Sequence, residues 1–221
     1  NGNSEALELP DAEYLYGVCG AGDTLAVLAG ADPLFFAGTD DEQSGNGDHA
    51  IYLYDETGHL TGSIPLAERC TDAPYELASD EADFFIFFGD AVVRVDADGT
   101  QLAKSGDMGG RLLQLICADN AVYVCVEGDW IYQTEKVVRL NAQTLETEAE
   151  LSCAGLDVQG MGTAADGTLL LISGEYLLRP DFDAGTLTAI LHWVDNANTS
   201  VNNYRSVLET EIGFFAWNSD I

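Results

Sequence analysis

Only three histidines occur in the chain, His49, His59 and His192, and they stand in three separate segments without the spacing of metal ligands. Acidic residues are plentiful. Asp40, Asp41, Glu42 and Asp48 fall in one polar stretch and carry the hard oxygens that Ca²⁺ takes, but the stretch reads first as a solvated loop. "DADG" (Asp96 to Gly99) has the start of a calcium loop without its later acidic positions, and a hairpin turn explains it better. "GAGDTL" (Gly20 to Leu25) begins like a dinucleotide fingerprint. Leu25 replaces the third glycine and a strand follows, so no helix N-terminus would meet a phosphate. Neither a Gly-x-Ser-x-Gly elbow nor a Cys–His pairing can be placed. The residues assign no catalytic group, no metal site and no cofactor.

Loop aromatics are the better candidates. Phe35, Phe36, Trp130, Tyr132 and Trp193 lie in polar connections, where large amphipathic rings suit a protein or carbohydrate partner. Charge limits the partners further. With 38 acidic against 8 basic residues, the net charge is −30, which repels nucleic acid and anionic lipid surfaces. No apolar run is long enough to span a membrane. Cys19, Cys117 and Cys125 sit inside apolar runs and read as small core residues.

The elements that must position these residues repeat. "IYLYDETGHL", "VVRVDADGTQL", "VVRLNAQTLE" and "LLRPDFDAGTL" align on Asp55, Asp96, Asn141 and Asp181, at steps of 41, 45 and 40 residues. Each phrase is a strand, a polar turn and a second strand. Upstream of each is another hairpin whose outgoing strand is almost wholly apolar: "TLAVLAG", "FFIFF", "AVYVCV" and "TLLLIS". Such strands should be buried on both faces, with the phrase itself more exposed. No segment holds a helical period.

Four-stranded units of about 40 residues predict an all-β fold, a β-propeller of four full blades plus a split or incomplete fifth. An all-β sandwich is the alternative. The blades fall at about 14–66, 68–108, 111–152 and 155–193, with 203–221 and 4–10 as the incomplete one, in a single propeller domain or part of one. The pattern resembles bacterial propellers of the YVTN, WD40-like and TolB-like kinds. It also resembles the propeller segment that precedes a solute-binding domain in some surface lipoproteins. That resemblance implies an extracellular, lipid-anchored protein with a further C-terminal domain.

The recurring Arg94, Arg139 and Arg179 each stand two residues before the aligned Asp or Asn, on one face of their strand. They read as a structural seam, paired with carboxylates. The longest connections, 29–50, 127–136, 67–75 and 192–204, all join strand B to C or D to A. The expected function is non-catalytic binding on that long-loop face. The alternative is a carbohydrate-active enzyme, a glycoside hydrolase or lyase built on the propeller.

Overall fold

A computed structural model describes residues 12, 14–30, 49–66, 74–88, 90–128, 134–156, 158–174, 176–192, 206–210 and 213–217. All regular structure among them is β, in four antiparallel sheets. The first comprises β1 (Tyr14–Ala21), β2 (Thr24–Gly30), β3 (His49–Tyr54) and β4 (Leu60–Pro65). The second comprises β5 (Pro74–Ser79), β6 (Phe84–Phe88), β7 (Ala91–Val95) and β8 (Gln101–Lys104). The third runs through β9 (Leu112–Ala118), β10 (Ala121–Glu127), β11 (Thr134–Asn141) and β12 (Thr147–Ser152). The fourth starts with β13 (Val158–Thr163), β14 (Leu169–Ser173), β15 (Tyr176–Asp181) and β16 (Thr186–His192). In each sheet these four strands lie side by side in chain order, which is the meander of a propeller blade.

The last hairpin, β17 (Ser206–Thr210) and β18 (Gly213–Trp217), does not stand alone. β17 pairs in parallel with β13 (Met161↔Ser206, Gly162↔Val207, Thr163↔Leu208), so the fourth sheet becomes six-stranded. An edge strand offers a row of free N–H and C=O groups, and the hairpin takes up part of that row on β13.

The chain divides into two compact units, 1–105 and 106–221, each holding two sheets. In the first unit the core is shared between sheets: Ala26, Leu28, Ile51 and Ile64 pack with Leu77, Phe84, Ile86 and Val93. In the second, Tyr123, Cys125, Val137 and Cys153 of the third sheet pack with Met161, Leu169, Leu171 and Leu178 of the fourth. The apolar strands β6 and β14 are buried along their whole length, as their composition requires. β3, β7 and β11 are mostly buried but less completely than β6 and β14, in keeping with the expectation that the recurring phrase is the more exposed hairpin. Each is an interior strand of its sheet, whereas the outer strands β8 and β16 face solvent.

Sheet contacts are close at the inner strands. Gly17 of β1 lies so near β5 that a Cβ there would sit 2.8 Å from the Leu77 nitrogen. Gln114 of β9 reaches across to β13, its Oε1 accepting the Met161 N–H at 2.8 Å.

The aligned Asp or Asn has one task in all four sheets: its Oδ1 accepts backbone N–H groups of the turn that follows. Asp55 caps Thr57 and His59 at 2.9 and 3.0 Å. Asp96 caps Asp98 and Thr100 at 2.9 and 2.8 Å, so "DADG" is a hairpin turn, with Gly99 at φ 79. Asn141 caps Gln143 and Thr144, and Asp181 caps Ala184 at 2.9 Å. "GAGDTL" is likewise a hairpin turn between β1 and β2, with Gly22 at φ 60. Asp119 and Asn120 both carry positive φ (48 and 57), as a two-residue turn between β9 and β10 needs.

Candidate functional site

The repeat arginines are the natural place to begin, because their surroundings differ from sheet to sheet. Arg94 on β7 faces Phe85, and two residues earlier on the same side stands Asp83. Arg94 Nε donates to Asp83 Oδ2 at 2.8 Å, and its second guanidinium nitrogen donates to the same oxygen. Both side chains are only 12% exposed, so this pair is a structural clamp within one sheet.

Arg139 on β11 faces Tyr123, which places Ala121 where Asp83 stands in the second sheet. Lacking that carboxylate, Arg139 turns to Glu148 on the neighbouring strand β12, with Nε 3.1 Å from Oε2. This pair is more open, at 37% and 35% exposure, and the contact lacks hydrogen-bond geometry at Nε. In the fourth sheet Leu171 faces Leu178, so Leu170 stands beside Arg179 and Thr168 takes the Asp83 position. Arg179 is exposed. Among the described residues it makes no ion pair within 4.0 Å, although the Asp166 carboxylate senses its charge.

These two arginines line a pocket of about 460 Å³ within the second unit. The pocket is lined by residues of the β9–β10, β13–β14 and β15–β16 turns together with strand residues such as Tyr123, Leu169 and Ile190. Asp119 comes from the first of these turns, and Asp183 and Phe182 from the last. Tyr123 forms part of the floor, its ring 5.5 Å from that of Phe182 and tilted by 41°. Burial raises the Tyr123 pKa above the ordinary phenol value. The nearby Arg139 opposes that rise, while Asp119 and Glu148 add to it. The phenol therefore stays protonated and can donate a hydrogen bond. The pocket thus combines two guanidiniums, turn carboxylates and an aromatic pair, a set suited to recognising a polar ligand with an apolar part.

Three described thiols, Cys19, Cys125 and Cys153, are poor nucleophiles. Burial pushes Cys125 up to about 12 and Cys153 up to about 11. Cys19 rises to about 12, through burial and then the charge of Glu76. These are free thiols, and Cys70 lies outside the described residues. Among the described carboxylates with a resolved shift, Asp55 and Asp166 are lowered. Hydrogen bonds from Thr57 and Thr168, respectively, are the main cause. Among the described residues no group of three His, Cys, Asp or Glu is placed to hold a metal ion. His59 sits in the β3–β4 turn beside Thr57, His49 stands on β3 against Tyr16, and His192 stacks on Tyr176 at 4.6 Å. Among the described residues no helix is long and apolar enough to cross a membrane.

Phe35, Phe36, Trp130, Tyr132 and Trp193, the aromatics proposed from sequence, all lie outside the described residues, as do Asp40, Asp41, Glu42 and Asp48. The pocket itself was not read from sequence. Its one available signal was the recurrence of Arg139 and Arg179 beside turns rich in Asp.

The sheet architecture is that of a β-propeller, and comparison with solved structures supports this. The chain is similar to a hydrazine synthase of Kuenenia stuttgartiensis, with 16% identity and a TM-score of 0.54 over 86% of this chain and 53% of that one. It is also similar to a virginiamycin B lyase from Staphylococcus aureus, with 14% identity and a TM-score of 0.55 over 91% of this chain and 76% of that one. The chain therefore spans about half the length of the first neighbour. At these identities the likeness concerns the fold alone. No protein-family model matches the chain, and no curated protein matches it.

Proposed function

We propose that this propeller is a non-catalytic binding module, from a secreted or surface-anchored bacterial protein whose partners are proteins, peptides or carbohydrates. The observation that carries the reading is the pocket of about 460 Å³ lined by Arg139 and Arg179. Two of its charged groups have partners: Arg139 lies beside Glu148, and Asp181 caps its own turn. Guanidiniums and carboxylates set beside an aromatic pair suit the recognition of a polar ligand. The aromatic residues of the long B–C and D–A connections, Phe35, Phe36, Trp130, Tyr132 and Trp193, are proposed as a second contact area. A cell-surface location rests on the resemblance to lipoprotein propellers.

The test is to screen the purified chain against peptide and glycan arrays, then incubate each hit with the chain and weigh the ligand by mass spectrometry. A ligand that is retained, recovered unchanged and weakened by Arg139→Gln supports the proposal. A ligand recovered cleaved or eliminated would favour the carbohydrate-active or lyase alternative.

A further inference from the structure

The charge arrangement of the pocket narrows the ligand class, an inference that rests on the binding reading. A simple anion would meet Arg139 and Arg179, but also Asp119 and Asp183 in the same wall, on a chain whose net charge is −30. A simple cation would meet the same walls with the signs reversed. Two of the charges are already engaged, Arg139 with Glu148 and Asp181 with the Ala184 N–H. Among the described residues, Arg179, Asp119 and Asp183 make no ion pair within 4.0 Å. One guanidinium and two carboxylates are therefore left facing a single cavity.

The apolar part of the wall is equally specific in kind. Phe182 packs onto the core between the third and fourth sheets, so its ring is fixed beside Tyr123. A ring or aliphatic side chain laid against that pair would be shielded from water, while the ligand's charged ends reached the rim. A guanidinium takes a carboxylate in a two-point grip, and a carboxylate takes an ammonium group.

We infer that the pocket binds a zwitterion carrying a free carboxylate and a free ammonium group with an apolar side chain between or beside them: a short peptide or amino acid. The carboxylate pairs with Arg179, the ammonium with Asp119 and Asp183, and the side chain covers Phe182. Such a ligand has no net charge, so the acidic surface does not repel it.

Calorimetric titration with the dipeptide Ala-Phe, its N-acetyl form and its C-terminal amide tests this directly. Ala-Phe is expected to bind, with affinity falling about tenfold when either end is blocked, a difference of about 1.4 kcal/mol. Arg179→Gln, at an exposed side chain, should weaken Ala-Phe about tenfold and leave the binding of the amide nearly unchanged. Unfolding midpoints in urea confirm that the variant is folded. Blocked and free dipeptides binding alike would overturn the ligand class, as would no detectable binding of Ala-Phe at about 1 mM. If an array hit still depends on Arg139 in that case, the binding reading stands and only the ligand class fails. Recovery of free Ala and Phe after incubation would support the ligand class and overturn the non-catalytic reading.

Discussion

Arg94 and Asp83 form a nearly buried ion pair inside the second sheet, with Nε 2.8 Å from Oδ2 and both side chains 12% exposed. The third and fourth sheets place Ala121 and Thr168 where Asp83 stands, and their arginines line a pocket instead. One repeated position thus serves as a clamp in one sheet and as a pocket wall in two others.

Breaking the clamp should be costly because it strands a charge. Asp83→Ala is expected to lower unfolding free energy by about 3 kcal/mol, as is typical when one partner of a buried pair is removed. Replacing both, Asp83→Leu with Arg94→Met, should restore most of the loss. Urea denaturation of the single and double variants checks this. A double variant as unstable as the single one would mean that the pair contributes more than its mutual neutralisation.

Acid sensitivity should reside partly in the turn caps. Asp55 and Asp166 have lowered pKa values in the folded chain, chiefly through the Thr57 and Thr168 hydroxyls. A depressed folded pKa stabilises the fold above the unfolded value, about 3.9, and that stability is lost as pH falls through the folded pKa. Asp55→Asn with Asp166→Asn keeps an Oδ1 acceptor but removes the titration. The double variant should be less stable than the natural chain at neutral pH, and the gap should close as pH drops below about 4. A gap independent of pH, measured by thermal melts across that range, would contradict this assignment.

Cys125 and Cys153 should resist alkylation in the folded chain. Their thiols are buried and held protonated, at about 12 and about 11. Peptide mapping after iodoacetamide treatment near pH 8 should show both unmodified until denaturant is added. Labelling without denaturant would mean that the core between the third and fourth sheets opens readily.

Two glycines of β1 should respond differently to the same change. A Cβ at Gly17 would meet the Leu77 nitrogen at 2.8 Å, while nothing lies within 4 Å of one at Gly20. Gly17→Ala is expected to cost about 1–3 kcal/mol, and Gly20→Ala to be close to neutral. Equal effects in urea unfolding would refute the close approach of β1 and β5.

Much of this fold was legible in the residues. The near-unbroken apolar runs "FFIFF" and "TLLLIS" became buried strands, and the aligned Asp55, Asp96, Asn141 and Asp181 became turn caps. Local chemistry dictates both features, so local sequence reveals them. How far β3, β7 and β11 are covered was less legible, because it depends on sheet pairing as well as on their own apolar residues. Gln114 shows the same limit: it looks like an ordinary strand residue, yet it accepts the Met161 N–H at 2.8 Å, 47 positions away. The pocket was hidden for a related reason. Asp119, Arg139, Arg179 and Phe182 share a wall only because two sheets present their turns side by side. The residue types of the connections instead directed attention to Phe35, Phe36, Trp130, Tyr132 and Trp193, which lie outside the described residues.

The most direct test is an amide NMR titration of the isotopically labelled chain with Ala-Phe. The account predicts the largest shifts at Asp119, Thr168, Arg179, Phe182 and Asp183, reduced in Arg179→Gln. Shifts that avoid these residues, or that persist unchanged in the variant, would show that the pocket between the third and fourth sheets is not where this propeller holds its ligand.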